Sequence, residues 1–385
     1  MHVFIGLTYY RPYFSGLTIY AERLARALVR RGHRVTVLTA RFDKDLLARE
    51  ICEGVQVIRA DVLLRISKGV IMPALPRQAW EIASQADVVN LHAPQLDAAL
   101  LALISRLKRK PVVLTYHCDL HLPSGLVHSA ANLASNFANH ISARLANAIV
   151  TNTRDYAESS PFLQAYLEKV HPILPPVELA QVSEADIRDF RVKAGIQPGQ
   201  RIIGMAARLA SEKGVEYLVQ ALPAVLEKYP HARVLFVGQY ENVLGEQDYA
   251  HKLAPLIQEL GDHWTFLGIL TQVELAAFFR EAELTILPSI NSTESFGMVQ
   301  VESMSCGTPV IASNLPGVRV PVQITGMGRI VPPRDAGVLA QAIIDLLDQR
   351  GDLPQDLQGI ANRFSPGAVA AQYEKLFDEL LSEHS

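Results

Sequence analysis

Two glutamates, Glu294 and Glu302, are separated by seven residues that include Phe296-Gly297-Met298. If a helix starts near Gly297, its first backbone N–H groups lack internal partners and carry the positive end of the helix dipole. A diphosphate can bind at such a terminus, and the glycine lets it approach the backbone closely. Glu302 then points back toward the helix start, where its carboxylate suits a ribose diol, and Glu294 is free to face a sugar. These residue types therefore predict a nucleotide-sugar site.

The same stretch of sequence predicts the elements that hold these residues. Ala282–Pro288 is a short apolar segment stopped by proline, which indicates a buried strand, and Ser289–Ser295 is a polar loop. Met298–Cys306 is apolar at helical spacing, Gly307 supplies a left-handed stop, and Val310–Ala312 is typical of a further parallel strand. The alternative is that both glutamates are solvated surface charges. The apolar residues around the second glutamate disfavour that alternative: Met298, Val299, Val301 and Met304.

This arrangement resembles the E-x7-E signature of the retaining glycosyltransferases of family 4, which have the two-domain GT-B fold. The resemblance extends over essentially the whole chain. It implies an α/β protein with two Rossmann-like, doubly wound domains and an interdomain cleft. The expected domains are an acceptor-binding domain of residues 1–178, joined by a C-terminal helix of residues 366–385, and a donor-binding domain of residues 179–365.

Alternation of strand and helix patterns independently predicts doubly wound α/β architecture. Strand patterns at Val3–Gly6 and Val112–Tyr116 frame helix patterns such as Ile19–Arg31. The proline-rich stretch His171–Ala180 predicts a linker, after which the strand Arg201–Ala206 opens a second series. Because ligands of open α/β sheets bind at the carboxyl ends of the strands, we expect the site residues at those ends.

Arg208 and Lys213 follow the strand Arg201–Ala206, in a turn that ends at Gly214. Two cations placed before a helix can neutralise a diphosphate and stabilise a departing nucleoside diphosphate. The residues alone allow a pair of surface cations equally well. The R-x4-K-G spacing resembles the phosphate-binding motif of the family, and this resemblance assigns both residues to donor binding.

The resemblance also assigns two residues near the N-terminus. The family usually has two glycines before the first helix, where this chain has Ser15-Gly16, and Gly16 can offer a backbone N–H to a phosphate or sugar. The family often has a histidine that contacts the transferred sugar at the position of His117. Together with Glu294, His117 is therefore assigned as catalytic, the alternative being a polar strand-end histidine without a role.

Two polar residues near His117 extend this side of the predicted site. Asp119 is predicted to orient the His117 ring. His92 ends another predicted strand, and we expect it to line the acceptor side. For the base, Gly238 and Leu270 follow adjacent strands, where their backbone groups can hold the edge of a uracil or a guanine. UDP-sugars and GDP-sugars therefore both remain open.

We expect no metal ion and no cofactor. Asp43-Lys44-Asp45 has the D-x-D spelling found in metal-dependent glycosyltransferases of the other main fold, but it lies in a predicted surface loop. The simpler interpretation of this stretch is solvated charge. The two predicted cations and the helix dipole then replace the metal in neutralising the diphosphate.

The composition is that of an ordinary enzyme. The 385 residues are 49% hydrophobic and 19% charged, and a net charge of −3 argues against nucleic acid as a partner. Cys52, Cys118 and Cys306 are far apart and indicate neither a zinc site nor a disulfide framework, so we expect a reducing, cytoplasmic location. Met1–Tyr10 lacks the basic leader of a signal peptide, and no run approaches the ~18 apolar residues of a membrane-spanning helix.

Basic residues are concentrated in the first half of the chain. Residues 1–180 hold 20 Lys and Arg against 14 Asp and Glu. Clusters at Arg30–Arg34 and Arg106–Lys110 fall at predicted helix ends, where cations complement the dipole. Solvated surface is the simpler interpretation. Peripheral contact with the anionic inner face of a membrane is the alternative, and it would suit a lipid-linked acceptor.

Together these features predict a metal-independent glycosyltransferase of the hexosyltransferase type. It would move a sugar, with retention, from a UDP- or GDP-sugar to a hydroxyl of a lipid-linked glycan, a polysaccharide or another glycoconjugate precursor. Two alternatives remain open: a nucleotide-sugar 2-epimerase of GT-B-like fold, and a non-catalytic nucleotide-sugar-binding protein.

Overall fold

The computed structural model describes residues 1–66, 69–119, 126–243, 245–349, 354 and 356–384. The chain divides into two compact units. Unit 1 comprises Met1–Val177 with Arg363–Ser385, and unit 2 comprises Glu178–Asn362. Each unit contains a sheet of mainly parallel strands flanked by helices, which confirms the prediction of two Rossmann-like, doubly wound α/β folds.

The strands of unit 1 are β1 (His2–Gly6), β2 (Arg34–Arg41), β3 (Arg49–Cys52), β4 (Val55–Asp61), β5 (Leu64–Ile66), β6 (Gly69–Ile71), β7 (Val88–Ala93), β8 (Val112–Tyr116), β9 (Ala148–Thr151) and β10 (Val170–Pro172). Its first helices are α1 (Gly16–Arg30), α2 (Leu75–Gln85), α3 (Ala98–Leu107), α4 (Leu126–Leu145) and α5 (Arg154–Ser159), followed by a 3₁₀ segment at Leu163–Lys169.

The main sheet of unit 1 has the order β10-β9-β8-β7-β1-β2-β4-β3. Neighbouring strands are parallel except for the antiparallel pair β3 and β4 at one edge. The central strands are buried along their whole length, because helices cover both faces of a parallel sheet. The predicted linker is partly wrong: His171 and Pro172 belong to β10, which pairs with β9 at the other edge.

The strands of unit 2 are β11 (Arg201–Ala206), β12 (Ala232–Val237), β13 (Trp264–Gly268), β14 (Leu284–Leu287), β15 (Val310–Ser313) and β16 (Gly328–Val331). Its helices are α6 (Glu184–Lys193), α7 (Val215–Lys228), α8 (Gln247–Glu259), α9 (Gln272–Glu281), α10 (Met298–Ser305), α11 (Val320–Thr325), α12 (Ala336–Asp348) and α13 (Leu357–Phe364), with 3₁₀ turns at Ser211–Lys213 and Gly261–His263. The last helix is α14 (Pro366–His384).

All six strands of unit 2 are parallel, in the order β13-β12-β11-β14-β15-β16. The strand order therefore reverses beside β11, which pairs with β12 on one side and with β14 on the other. At such a reversal the chain leaves the two adjacent strands toward opposite faces of the sheet, and a crevice opens at their carboxyl ends. The segments that follow β11 and β14 contain the predicted donor-binding residues.

The last helix belongs to unit 1, where α14 packs against α1. The Tyr373 hydroxyl lies 2.9 Å from the hydroxyls of Tyr20 and Thr115, and Thr115 donates to Asn90 Oδ1 at 2.8 Å. All four side chains are buried. This chain of hydrogen bonds ties the C-terminal helix to α1 and to the central strands β7 and β8.

In the part of the chain that the structure describes, no helix is both long enough and apolar enough to span a membrane.

We expect Tyr373→Phe to lower the free energy of unfolding of unit 1 by about 1–3 kcal/mol, because the buried hydroxyls of Tyr20 and Thr115 each lose their hydrogen bond to Tyr373. The measurement is the midpoint of thermal unfolding. Tyr13→Phe is the matched control, since that ring is 41% exposed. Equal midpoints for the two variants would contradict the stabilising role of the buried network.

Candidate functional site

The segments after β11 and β14 pack backbone to backbone. Ile290 N–H donates to the carbonyl oxygen of Glu212 at 3.0 Å. Gly214 has φ +64°, and a Cβ atom at this position would lie 2.1 Å from the carbonyl oxygen of Pro288. Only glycine fits both the left-handed conformation and this close approach. The contact brings the turn of Arg208 to Gly214 against the loop that carries Glu294.

Within this contact, Lys213 and Glu294 form an ion pair. Lys213 Nζ donates to Glu294 Oε2 at 2.6 Å, and both side chains are mostly buried, with 18% and 15% exposed. The sequence predicted a phosphate-binding residue and a sugar-binding residue in separate motifs, and the structure places these two residues in direct contact. The expectation that Glu294 is free was wrong, because its carboxylate is held by the neighbouring cation.

Arg208, the second predicted cation, is more exposed. Its guanidinium donates to Glu212 Oε1 at 3.0 Å, and 46% of its side chain is accessible. An exposed pair of this kind contributes little to stability, so Arg208 can exchange Glu212 for another anion at small cost. The turn itself is held by Glu246, whose carboxylate accepts from Ser211 N–H at 2.9 Å. The sequence analysis did not identify Glu212 and Glu246.

Helix α10 begins where the sequence predicted. Gly297 is its N-cap residue with φ +77°, and a Cβ atom there would lie 2.3 Å from Leu287 Cδ2. The Gln300 amide donates to the carbonyl oxygens of Phe296 and Val318, at 2.7 and 2.9 Å, and so fixes the helix start. The positive end of α10 therefore lies directly after the loop that carries Glu294.

Glu302 lies on the second turn of α10 and is only 8% exposed, so the alternative of a solvated helix residue is wrong. Its negative charge acts on Cys306. Burial raises the pKa of the Cys306 thiol to about 11, with Arg280 opposing the shift and Glu302 adding to it. Phe296 is buried and Met298 is partly buried, so both support the loop and the helix start.

The two predicted base-binding residues differ in what they can offer. Gly238 follows β12, and its N–H donates to the carbonyl oxygen of Gly268 at 2.8 Å. That N–H is therefore not available to a base, which corrects this part of the prediction. Leu270 is partly buried and packs against the cluster that includes Phe278 and Val237. Tyr240 stacks on Phe266, in β13, with ring centroids 4.4 Å apart, an aromatic pair that the sequence analysis missed.

In unit 1, helix α1 starts at Gly16, and Ser15 caps it. The Ser15 hydroxyl accepts from Thr18 N–H at 3.2 Å, and Thr18 Oγ1 accepts from Ser15 N–H at 2.8 Å. This capping box explains why a serine stands before Gly16, since it satisfies two backbone donors of the first turn.

His117 lies just after β8 and contacts the predicted residue His92. The distance from His117 Nε2 to His92 Nδ1 is 2.9 Å, the rings are stacked at 5.1 Å, and Tyr20 packs edge-on against His117 at 4.9 Å. Burial lowers the pKa of His117 to about 3. It lowers the pKa of His92 well below its ordinary value, with His117 adding to the shift. Both rings are therefore neutral near pH 7.

The predictions for His92 and Asp119 need correction. His92 has no exposed surface, so it does not line an acceptor site; its ring contacts His117 instead. Asp119 does not orient His117. Its Oδ1 accepts from the hydroxyls of Tyr116 and Ser160, at 2.9 and 2.8 Å. Asp119 therefore holds the segment after β8 against Tyr116 and Ser160, and its hydrogen bonds do not orient the imidazole of His117.

A carboxylate that the sequence analysis missed, Asp97, lies at the head of α3, after β7. Burial raises its pKa to about 6. Asp43 and Asp45 are in a turn between β2 and β3, where Asp45 N–H donates to Asp43 Oδ1 at 3.1 Å. Over the described ranges, no group of three or more His, Cys, Asp or Glu side chains is arranged to hold a metal ion.

Two family models match this chain. Residues 14–181 match the model "Glycosyltransferase Family 4", and residues 186–363 match the model "Glycosyl transferases group 1". The first match covers most of unit 1 and the second covers nearly all of unit 2.

Individual proteins are similar over most of their length. A D-inositol 3-phosphate glycosyltransferase of Catenulispora acidiphila is 30% identical over 363 residues, which cover 87% of this chain and 82% of that protein. A phosphatidyl-myo-inositol mannosyltransferase of Mycolicibacterium smegmatis is 25% identical over 370 residues, which cover 94% and 90%. The crystal structure of Anabaena Alr3699/HepE with UDP and glucose has a TM-score of 0.79 at 23% identity, covering 98% of this chain and all of that one, which shows the GT-B fold.

We expect Gly214→Ala to separate the two segments that carry Lys213 and Glu294, because the added Cβ meets the Pro288 carbonyl oxygen. Gly195→Ala is the matched control: Gly195 has φ +61°, but its Cβ would meet nothing within 4 Å. The control should lose about 1–2 kcal/mol from backbone strain alone. Gly214→Ala should lose more, measured by chemical unfolding, and equal losses would contradict the packing role of Gly214.

Proposed function

Because the chain belongs to the glycosyltransferases of group 1 and family 4, we propose that it transfers a sugar, with retention, from a nucleotide-sugar to a hydroxyl acceptor. The observation that carries this proposal is the Lys213–Glu294 ion pair in the crevice between β11 and β14. It joins a cation suited to a diphosphate and a carboxylate suited to sugar hydroxyls. The pair lies in unit 2, and its carboxylate, Glu294, is in the loop that leads to the positive end of α10.

The donor diphosphate is proposed to bind at Arg208, Lys213 and the start of α10. Because Lys213 already pairs with Glu294, an arriving diphosphate takes over the ammonium group and releases the carboxylate for the sugar. Glu302, buried on the second turn of α10, suits the ribose diol. Donor binding thus converts an internal ion pair into two separate contacts with the substrate.

The reaction needs simultaneous stabilisation of an oxocarbenium-like sugar and of a departing diphosphate. Arg208, Lys213 and the α10 dipole stabilise the leaving group, so no metal ion and no cofactor are required in this proposal. Glu294 holds sugar hydroxyls and favours the positive ring. An oxygen of the diphosphate accepts the proton of the incoming hydroxyl, and in unit 1 His117 contacts the transferred sugar and Gly16 offers a backbone N–H.

The relatives give two classes of acceptor for testing. By their names, one acts on D-inositol 3-phosphate, a polyol, and the other on phosphatidyl-myo-inositol, a lipid. We propose a lipid-linked or polyol hydroxyl as the acceptor. For the donor, the UDP and glucose bound to the Anabaena protein make UDP-glucose the first compound to test, with GDP-mannose beside it.

A lipid acceptor is supported by a surface of unit 1 that combines apolar and basic groups. Trp80, Leu100, Leu103 and Leu107 are each at least 37% exposed and line one groove between α2 and α3. Lys108 Nζ lies 3.7 Å from the centre of the Trp80 ring, and Arg109 beside it is exposed. We call these residues the α3 surface and propose that it contacts the anionic inner face of a membrane, in a cytoplasmic protein.

The other basic cluster is less suited to a membrane. Arg31 and His33 both donate to the Glu374 carboxylate of α14, and Arg34 donates to Gln85 Oε1 at 3.2 Å. These contacts bind the cluster to the protein itself. The two clusters looked alike in the sequence, and the contacts of their side chains distinguish them.

We expect Glu294→Gln to reduce nucleotide release from UDP-glucose or GDP-mannose by about 10²-fold, because the carboxylate charge that favours the transition state is lost. Glu283→Gln is the matched control: Glu283 is equally buried, with 16% of its side chain exposed, and also pairs with a cation, Arg201 at 2.7 Å. The control should release nucleotide at a rate within about twofold of that of the unsubstituted protein.

The same assay separates the alternatives. Unchanged release by Glu294→Gln would overturn the proposed role of this residue. A 2-epimer that forms without nucleotide release would indicate the epimerase, and tight donor binding with no product would indicate a binding protein. The anomeric configuration of the product, read by NMR, tests retention.

We expect the double variant Leu103→Glu/Leu107→Glu to bind vesicles of phosphatidylglycerol about tenfold more weakly or worse, since each carboxylate repels the anionic surface and removes apolar contact. Val192→Glu is the control, an apolar residue that is 82% exposed in unit 2. The measurement is co-sedimentation with the vesicles, with phosphatidylcholine vesicles as the neutral comparison. If all variants bound the vesicles equally, the α3 surface would not be the membrane contact.

A further inference from the structure

His92 and His117, which pair in unit 1, include a ring nitrogen for which the proposed function has no role. His92 sits at the end of β7 and His117 just after β8, and His117 N–H donates to the carbonyl oxygen of Ala93 at 2.9 Å. This backbone contact between adjacent parallel strands fixes the spacing of the two rings. His92 is fully buried, and its Nε2 atom has no hydrogen-bond partner among the residues that the structure describes.

The contact between the rings can hold only one proton. Both imidazoles are neutral, because burial lowers the pKa of each. One nitrogen of the pair, either His92 Nδ1 or His117 Nε2, therefore carries the hydrogen, and the other accepts it across 2.9 Å. The choice sets the tautomer of both rings.

The unpartnered Nε2 of His92 decides between the two arrangements. If His117 Nε2 donated to His92 Nδ1, His92 would carry its own hydrogen on Nε2, as a buried N–H without an acceptor. Among buried backbone groups, an N–H without a partner is rarer than a carbonyl oxygen without one, and we extend this order to the ring nitrogens of His92. The favoured arrangement therefore has His92 Nδ1–H donating to His117 Nε2, which places the hydrogen of His117 on Nδ1.

We propose that His92 is a positioning residue that holds His117 in the Nδ1–H tautomer, so that His117 offers a hydrogen-bond donor to the bound sugar. The proposal rests on the function proposed above, in which His117 contacts the transferred sugar. His92 itself touches no substrate, since it has no exposed surface. Tyr20 supports the pair from the side, with its ring edge-on to His117 at 4.9 Å and to His92 at 5.9 Å.

The first test is spectroscopic and needs no substrate. In protein labelled with ¹⁵N-histidine, two-bond ¹H–¹⁵N correlation spectra distinguish the protonated nitrogen of a neutral imidazole from the unprotonated one. The variants His92→Asn and His117→Gln assign the two residues by loss of their signals. We expect protonated Nδ1 in both rings. Protonated Nε2 in His92 would overturn the proposal, whatever the activity of the protein.

The second test compares two substitutions of His92. His92→Asn keeps a side-chain N–H close to the position of Nδ1, whereas His92→Leu fills similar space without a donor. We expect His92→Leu to lower kcat for nucleotide release on the order of 10²-fold, with KM for the donor little changed, because His117 is no longer held in a productive geometry. His92→Asn should recover most of that loss at a similar melting temperature.

These outcomes distinguish a failure of the proposed His92–His117 pairing from a failure of the proposed function on which it rests. Equal kcat for the Asn and Leu variants would overturn the positioning role of the His92 N–H. Full nucleotide release by His117→Ala would instead overturn the contact of His117 with the sugar, which is part of the proposed function. The tautomer signals of the unsubstituted protein would still report whether His92 and His117 pair as proposed.

Discussion

The candidate donor site depends on the close approach of two backbone segments at the reversal of strand order beside β11. The turn after β11 and the loop after β14 come from neighbouring strands but lead to helices on opposite faces of the sheet. They meet only because Gly214 has no side chain to collide with the carbonyl oxygen of Pro288. The ion pair between Lys213 and Glu294, which joins the two segments, follows from that approach.

The charges of this site are balanced within the protein. Lys213 is paired with Glu294 and Arg208 with Glu212, so neither cation of the proposed phosphate clamp lacks a carboxylate. A mostly buried cation without a partner would be costly, and an exposed one much less so. The two pairs differ in this respect, since the Lys213 pair is sheltered and the Arg208 side chain is 46% exposed. A ligand therefore has to compete mainly for Lys213, and the energy of that competition depends on what the freed carboxylate then contacts.

Much of this architecture could be predicted from the sequence because it depends on local patterns. The apolar strand before Pro288, the stop at Gly307 and the helix start at Gly297 each have a steric or hydrogen-bonding cause within a few residues. The strands Arg201–Ala206 and Val112–Tyr116 were predicted to the residue, because parallel strands buried on both faces are continuously apolar. The edge strands β3 and β10 were missed, since a strand paired on one side need not have that pattern. The interior strand β4 was missed as well, and Gln56 and Arg59 interrupt its apolar run.

The contacts between side chains could not be predicted in this way. Nothing near Asp119 in the sequence indicates that its carboxylate faces Tyr116 and Ser160, because the direction of a side chain after a strand depends on the neighbouring strands and helices. The pair of His92 and His117 likewise results from strand order, since β7 and β8 are adjacent in the sheet although the histidines are 25 positions apart in the sequence. Sequence motifs identified the residues of interest, and the topology determined their partners.

The position of Tyr373 has a consequence for how the chain is made. Unit 1 takes its first segment from the N-terminus and its last helix from the C-terminus, whereas unit 2 is continuous. During synthesis on the ribosome, the hydroxyls of Tyr20 and Thr115 are therefore made long before their partner Tyr373. Unit 2 has its complete set of strands earlier than unit 1 has its final helix. The unit that contains the first translated strand is thus completed only after unit 2 has been made, when α14 packs against α1.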